Sequence, residues 1–172
     1  MAKLPRITIN LTKLAENFQT VQRHCRDTGI HLNVVVKGLA GDQRAVEFLR
    51  EAGMTELGDS RLENLQRFQS YAGLNKLQLR LPALSTAAVT VEVADASLNA
   101  ELATLQALNV YAGSQTRKHR VFLMVDQGDL REGVAEADLF RLADECRKLI
   151  HLEVIGLGAN FSCFAGVMPT VG

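Results

Sequence analysis

The sequence predicts a parallel α/β protein of the (β/α)8 barrel type, incomplete at about six of the eight βα units and preceded by one extra N-terminal strand. Three observations carry this. Short apolar runs alternate with amphipathic stretches along the chain, the pattern of strands joined by crossover helices. No run is followed by the G-x-G-x-x-G of a dinucleotide-binding open sheet. The chain has 172 residues, whereas a full barrel of this kind needs ~250, so the architecture reads as cut short after its sixth strand.

The elements follow in order. Arg6-Ile7-Thr8-Ile9-Asn10-Leu11 alternates apolar and polar side chains, as a strand with one wet face does, and Thr12 is placed to cap the next helix. Leu14, Phe18, Val21 and Cys25 form one apolar stripe on a helix over residues 13–28, which Gly29 stops. His31-Leu32-Asn33-Val34-Val35-Val36 then reads as a strand buried on both faces, ending at Lys37. Asp42 caps a helix over residues 45–52 that stops at Gly53.

The unit repeats. Residues 54–58 form a strand, Asp59-Ser60 a cap and residues 62–68 a helix. Residues 76–81 are a strand closed by Pro82, and residues 85–89 make at most one or two turns. Val91-Glu92-Val93-Ala94 reads as a strand, and Asp95-Ala96-Ser97-Leu98-Asn99 leads into a helix through Leu102, Leu105 and Leu108. Residues 111–118 are polar and read as a surface loop. Residues 121–125 are a fully buried strand, 137–149 a helix and 152–157 the last strand.

Bulk properties narrow the function. Nineteen basic residues cancel nineteen acidic ones, which gives no electrostatic reason to expect a nucleic acid or an anionic membrane as partner. A small neutral or zwitterionic ligand fits better. No apolar run approaches the ~18 residues of a membrane span, and Met1-Ala2-Lys3-Leu4-Pro5 lacks the apolar core of a signal peptide, so a cytoplasmic protein is expected. Cys25, Cys146 and Cys163 are odd in number and far apart, which suggests neither a disulfide framework nor a metal site. His24, His31, His119 and His151 lie away from the strand ends and resemble neither catalytic nor metal-binding histidines.

Ligands of parallel α/β folds bind at the carboxyl ends of the strands. There the sequence places Lys37, Asp59 and Ser60, Leu84 and Ser85, Ser97 and Asn99, residues 126–131, and residues 160–163. Lys37 has two readings: an amine freed by desolvation to condense with a carbonyl, or a charge that snorkels to the barrel mouth. Arg131, on a glycine-flanked turn, either offers its planar fork to an anionic oxygen or pairs with Asp126 and Asp129. Asn160 either presents its amide to a ligand or satisfies backbone groups. Cys163 has no basic neighbour in sequence and reads as an inert, buried thiol.

Taken together, these segments resemble the N-terminal barrel of the alanine racemase group, the fold type III pyridoxal-phosphate enzymes, most closely the alanine/ornithine racemase branch. The resemblance runs from Pro5 to Thr170. Its specific parts are Pro5 to Leu11, Val35-Val36-Lys37 with Gly41-Asp42, Gly58-Asp59-Ser60-Arg61-Leu62-Glu63-Asn64-Leu65, Ala94 to Glu101, Leu123-Met124-Val125-Asp126 with Gly128-Asp129-Leu130-Arg131-Glu132-Gly133, and Asn160-Phe161-Ser162-Cys163 with Gly166 and Pro169-Thr170.

The resemblance implies a racemase that interconverts L- and D-amino acids, with Lys37 holding pyridoxal 5'-phosphate as an aldimine and moving the α-proton. It places Arg131 near the cofactor's phenolic oxygen and Asn160 where alanine racemases carry a histidine against the pyridine ring. Ser60 and Asn99 join the expected cofactor-binding set. A homodimer is expected for the full-length enzyme. The resemblance also implies parts not found in this sequence: a C-terminal β-domain, two barrel strands with their phosphate-binding loops, and the tyrosine that acts as second base. The 172 residues are therefore expected to form a partial cofactor-binding barrel that alone binds pyridoxal phosphate weakly or not at all. The alternatives are a non-catalytic pyridoxal-phosphate-binding protein of cofactor homeostasis with the same fold, or an inactive remnant.

Overall fold

A computed structural model describes residues 7–161. The elements are α1 (Leu11–Asp27), β1 (Val34–Val35), α2 (Gln43–Glu51), β2 (Glu56–Asp59), α3 (Leu62–Arg67), β3 (Asn75–Gln78), α4 (Ala87–Val93), β4 (Ala96–Asn99), α5 (Leu102–Ser114), β5 (His119–Asp126), α6 (Glu136–Cys146) and β6 (Leu152–Asn160). The six strands form one sheet in the order β1-β2-β3-β4-β5-β6, and every neighbouring pair is parallel. Sequential order with a helix between strands is the barrel winding expected from the sequence. Among the described residues the sheet is not closed, since β1 and β6 have no strand beyond them.

Side chains alternate across each strand, and the two faces have different fates. One face lies under the helices. Val36, Leu57, Leu65 and Phe68 are sealed there with Phe18, Val46 and Leu49 from α1 and α2. A second cluster joins Val121, Leu123 and Leu152 to Val91, Leu105, Leu108 and Leu142. Each such aliphatic side chain contributes about 1.5–3 kcal/mol relative to exposure. The other face is open, and Val35 is 51% and Leu157 61% exposed. The His31–Val36 segment is thus buried on one face, because the open side of an unclosed sheet has no layer above it, and it pairs as a strand only at Val34–Val35.

Several expected boundaries shift. Residues 7–10 carry no strand, and Arg6 lies outside the described residues. Asn10, not Thr12, caps α1, its Oδ1 accepting the Lys13 N–H at 3.0 Å. Val91-Glu92-Val93 is helical, and the strand is Ala96–Asn99. The β-branched residues there misread as strand because Ala87, Thr90 and Val91 share a buried helical stripe, and packing overrides weak propensity. Residues 111–114 continue α5 because Ala112 is buried beneath them. Asp42 does cap α2, accepting the Ala45 N–H at 2.8 Å, and Gly29 follows α1 at φ 71°. Among the described residues no helix is long and apolar enough to cross a membrane.

Candidate functional site

Lys37 opens a 3-10 turn, Lys37–Leu39, directly after β1. The strand end is tied to its neighbour by the Val36 N–H, which donates to Gly58 O at 2.9 Å. The turn closes through two left-handed residues, Ala40 at φ 51° and Gly41 at φ 74°. A Cβ at Gly41 would lie 2.7 Å from Asn64 Oδ1, so only glycine fits this approach. Arg67 Nη1 donates to Ala40 O at 3.3 Å and Gly41 O at 3.2 Å. The Lys37 turn is therefore clamped from α3.

Asp59 supports the same corner from beneath the helices. It is fully buried, and it accepts the Arg61 N–H at 2.9 Å and Asn64 Nδ2 at 3.1 Å. Its neighbour Ser60 faces the open side with Lys37. At the far strands, Asp126 Oδ1 accepts the Gly128 N–H at 2.8 Å and the Leu130 N–H at 3.1 Å. Val134 bridges back to Val125. Gly133, at φ 126°, lies so close to β5 that a Cβ would stand 2.4 Å from Asp126 N. The loop over residues 127–133 is thereby folded onto the strand end. Asn160 Nδ2, on the last residue of β6, donates to Glu132 Oε1.

These pieces meet in one open cleft of about 300 Å³. Its polar rim carries Lys37, Ser60, Arg80, Arg131, Glu132 and Asn160, over a floor of Val35, Leu79 and Leu98. The structure thus gathers Lys37, Ser60, Arg131 and Asn160 as a group. It does not bring Asn99 there. Asn99 is 1% exposed and donates to Ser97 O and Ser97 Oγ, lining a separate cleft with Ser85, Glu101 and Thr104. Alternation along β4 gives the Lys37 cleft Leu98 instead. Lys37 is solvent-exposed, so of its two readings the charge that reaches the barrel mouth, and not the desolvated amine, is the one found among the described residues.

Sequence reasoning missed Arg80 and Glu132. The signal for Arg80 was Pro82: with the strand ending at Gln78, residues 79–81 form the loop at the ligand-binding end. His119 was read as peripheral, yet it opens β5 in full burial with its Nε2 2.9 Å from Ser97 Oγ. Burial, with Arg117 adding to it, lowers its pKa to about 4. It lies under the helices, away from the cleft. Burial raises the Cys146 thiol to about 11, as an inert cysteine requires, while Cys163 lies outside the described residues.

A family model described as alanine racemase, N-terminal domain, matches residues 9–170. An ornithine racemase of Acetoanaerobium sticklandii is 37% identical over 166 residues, covering 96% of this chain and 47% of its own length. A lysine racemase of Thermotoga maritima is 33% identical over 168 residues, covering 96% and 46%. The chain spans about half the length of these curated relatives. Among solved structures, alanine racemase from Bartonella henselae with covalently bound pyridoxal phosphate superposes with a TM-score of 0.76 at 14% identity, covering 90% of this chain and 46% of that one. The matched span takes in every strand of the sheet and the whole Lys37 cleft, and the chain belongs to the alanine racemase N-terminal domain family.

Proposed function

We infer that this chain is the cofactor-binding barrel portion of a pyridoxal-phosphate-dependent amino-acid racemase, acting on a small or basic amino acid. The observation that carries the reading is the placement of the Lys37 amine in one cleft with Arg131 and Asn160, within a chain 37% identical to an ornithine racemase. The residues present fit the cofactor. A primary amine meets an aldehyde, a guanidinium meets phenolic or phosphate oxygens, and the open cleft of about 300 Å³ admits both.

When bound, pyridoxal phosphate supplies a ring that takes up the charge left at Cα when its proton departs. The chain's own residues do the rest. Lys37 Nζ holds the cofactor and removes or returns the proton on one face of the amino acid. The clamped turn behind it fixes where that nitrogen can reach. Arg131 offers its fork to an anionic oxygen, while Asn160, through Glu132, steadies the loop that carries it. Leu79 and Leu98 shed water from the floor.

The test is deuterium exchange at Cα of ornithine, lysine and alanine with pyridoxal phosphate present. In the full-length enzyme of which this chain is the barrel portion, exchange with inversion is expected, and Lys37→Ala abolishes it. Covalent capture of the cofactor at Lys37 with no exchange of any of these amino acids would replace the racemase reading with that of a non-catalytic cofactor-binding protein.

A further inference from the structure

Arg80 stands two residues beyond β3 and lines the Lys37 cleft beside Leu79. Among the described residues, nothing hydrogen-bonds or ion-pairs with its guanidinium. Charge around it is unbalanced even with Arg131 set aside for contacts of its own, since Lys37 and Arg80 share the cleft with a single carboxylate, Glu132. That carboxylate already accepts from Asn160 Nδ2. One strand, β2, separates β1 from β3, which at ~4.8 Å per strand places their ends ~10 Å apart along the sheet. Two long side chains approaching from either side reach a single small molecule lying between them.

A guanidinium without a protein partner, at the rim of a cleft with excess positive charge and an apolar floor, is complementary to a ligand bearing anionic oxygens. We propose that Arg80 is an anion-binding residue of this cleft, its fork holding carboxylate or phosphate oxygens of the molecule that reaches Lys37. This rests on the reading of Lys37 as the carbonyl-binding amine. The anionic oxygens have two sources, the carboxylate of an amino acid or the phosphate of the cofactor, and each calls for the same planar fork. Arginine suits this better than lysine because two parallel N–H donors fix the orientation of the anion as well as its charge.

The experiment traps aldehydes on Lys37 with borohydride and reads half-saturation by peptide mass spectrometry, so that weak binding is still measured. Two matched pairs are compared at fixed ionic strength: pyridoxal phosphate against pyridoxal, and 4-carboxybenzaldehyde against benzaldehyde. The wild-type chain is expected to favour the anionic member of at least one pair, and Arg80→Gln to weaken that member by about tenfold while leaving the neutral one unchanged. Arg80→Lys keeps part of the preference. Loss confined to the carboxylate pair assigns Arg80 to the amino acid, and loss confined to the phosphate pair assigns it to the cofactor. Anionic half-saturation within about twofold of wild type in both pairs, or an equal loss for the neutral aldehydes, overturns the proposal.

A second readout does not use Lys37: the rate at which phenylglyoxal modifies Arg80. Inorganic phosphate or acetate is expected to slow it, with chloride at equal ionic strength as the control. If no aldehyde labels Lys37 but an anion shields Arg80, the Lys37 reading fails and the Arg80 assignment stands. If Lys37 is labelled and no anion shields Arg80, the reverse holds.

Discussion

Beneath the helices, Val36, Leu57 and Leu123 are fully excluded from water, while across the same sheet Val35 is 51% and Leu157 61% exposed. The polar groups divide in the same way. Asp59, Ser97 and Asn99 are buried under the helices and spend their hydrogen bonds on the protein itself. Lys37, Arg80, Arg131 and Asn160 gather on the open side. Stability resides on one face and the proposed chemistry on the other, with β1 and the turn after it belonging to both.

The largest expected effect separates the faces outright. Lys37→Ala removes covalent capture of pyridoxal phosphate altogether, while urea unfolding shifts by no more than about 0.5 kcal/mol, as for other exposed positions. A large stability loss in this variant would show that Lys37 is also structural. Leu57→Ala, one pleat from the open side, is expected to cost about 2–5 kcal/mol through the cavity it leaves, read by the urea midpoint.

The next effect comes from His119. Its folded pKa of about 4 lies below the ordinary 6.5, so below pH 6.5 the unfolded chain takes up a proton that the folded chain refuses. Stability from this group is complete above pH 6.5, falls as the pH drops toward 4 and levels off below that, for a total of about 3 kcal/mol. Stability measured from pH 8 to pH 4 should show this slope, and His119→Gln should flatten it. A slope unchanged in the variant would remove His119 as its source.

Smaller effects probe the shared turn. Gly41→Ala forces a side chain into left-handed backbone and against Asn64, at about 1–3 kcal/mol. It should also slow aldehyde capture at Lys37, which a merely global destabilisation would not do under folding conditions. Smallest is Val35→Thr on the open face, expected within about 0.5 kcal/mol of wild type by urea unfolding. A loss comparable to that of Leu57→Ala would mean that the open face is covered in solution.

How much of this was legible follows from the same division. Helices with one apolar stripe and a side-chain cap, such as α2 behind Asp42, declare themselves because local sequence and packing agree. Residues 91–94 misled because β-branched side chains suit a strand, whereas burial of Thr90 and Val91 between α5 and the sheet is a tertiary fact. In the cleft, Lys37, Ser60, Arg131 and Asn160 could be placed from their positions at strand ends. Asn99 could not, since the strand was placed at Val91–Ala94 rather than Ala96–Asn99, and the face a side chain takes depends on its place in the strand. Arg80 was hidden by a strand drawn three residues too long, to residue 81 rather than Gln78. His119 was hidden because nothing local to it announces burial.

The bond from Asn160 to Glu132 ties the connection after β5 to the end of β6 as a single mechanical unit. Arg131, next to Glu132 in the chain, takes its place from a strand that is itself anchored in the sheet, and any shift of β6 is passed to it. On the proposed reading of Arg131 as an anion-binding residue, an arginine held in this way stands in position before the ligand arrives, so the ordering cost is met during folding and little is left to deduct from affinity.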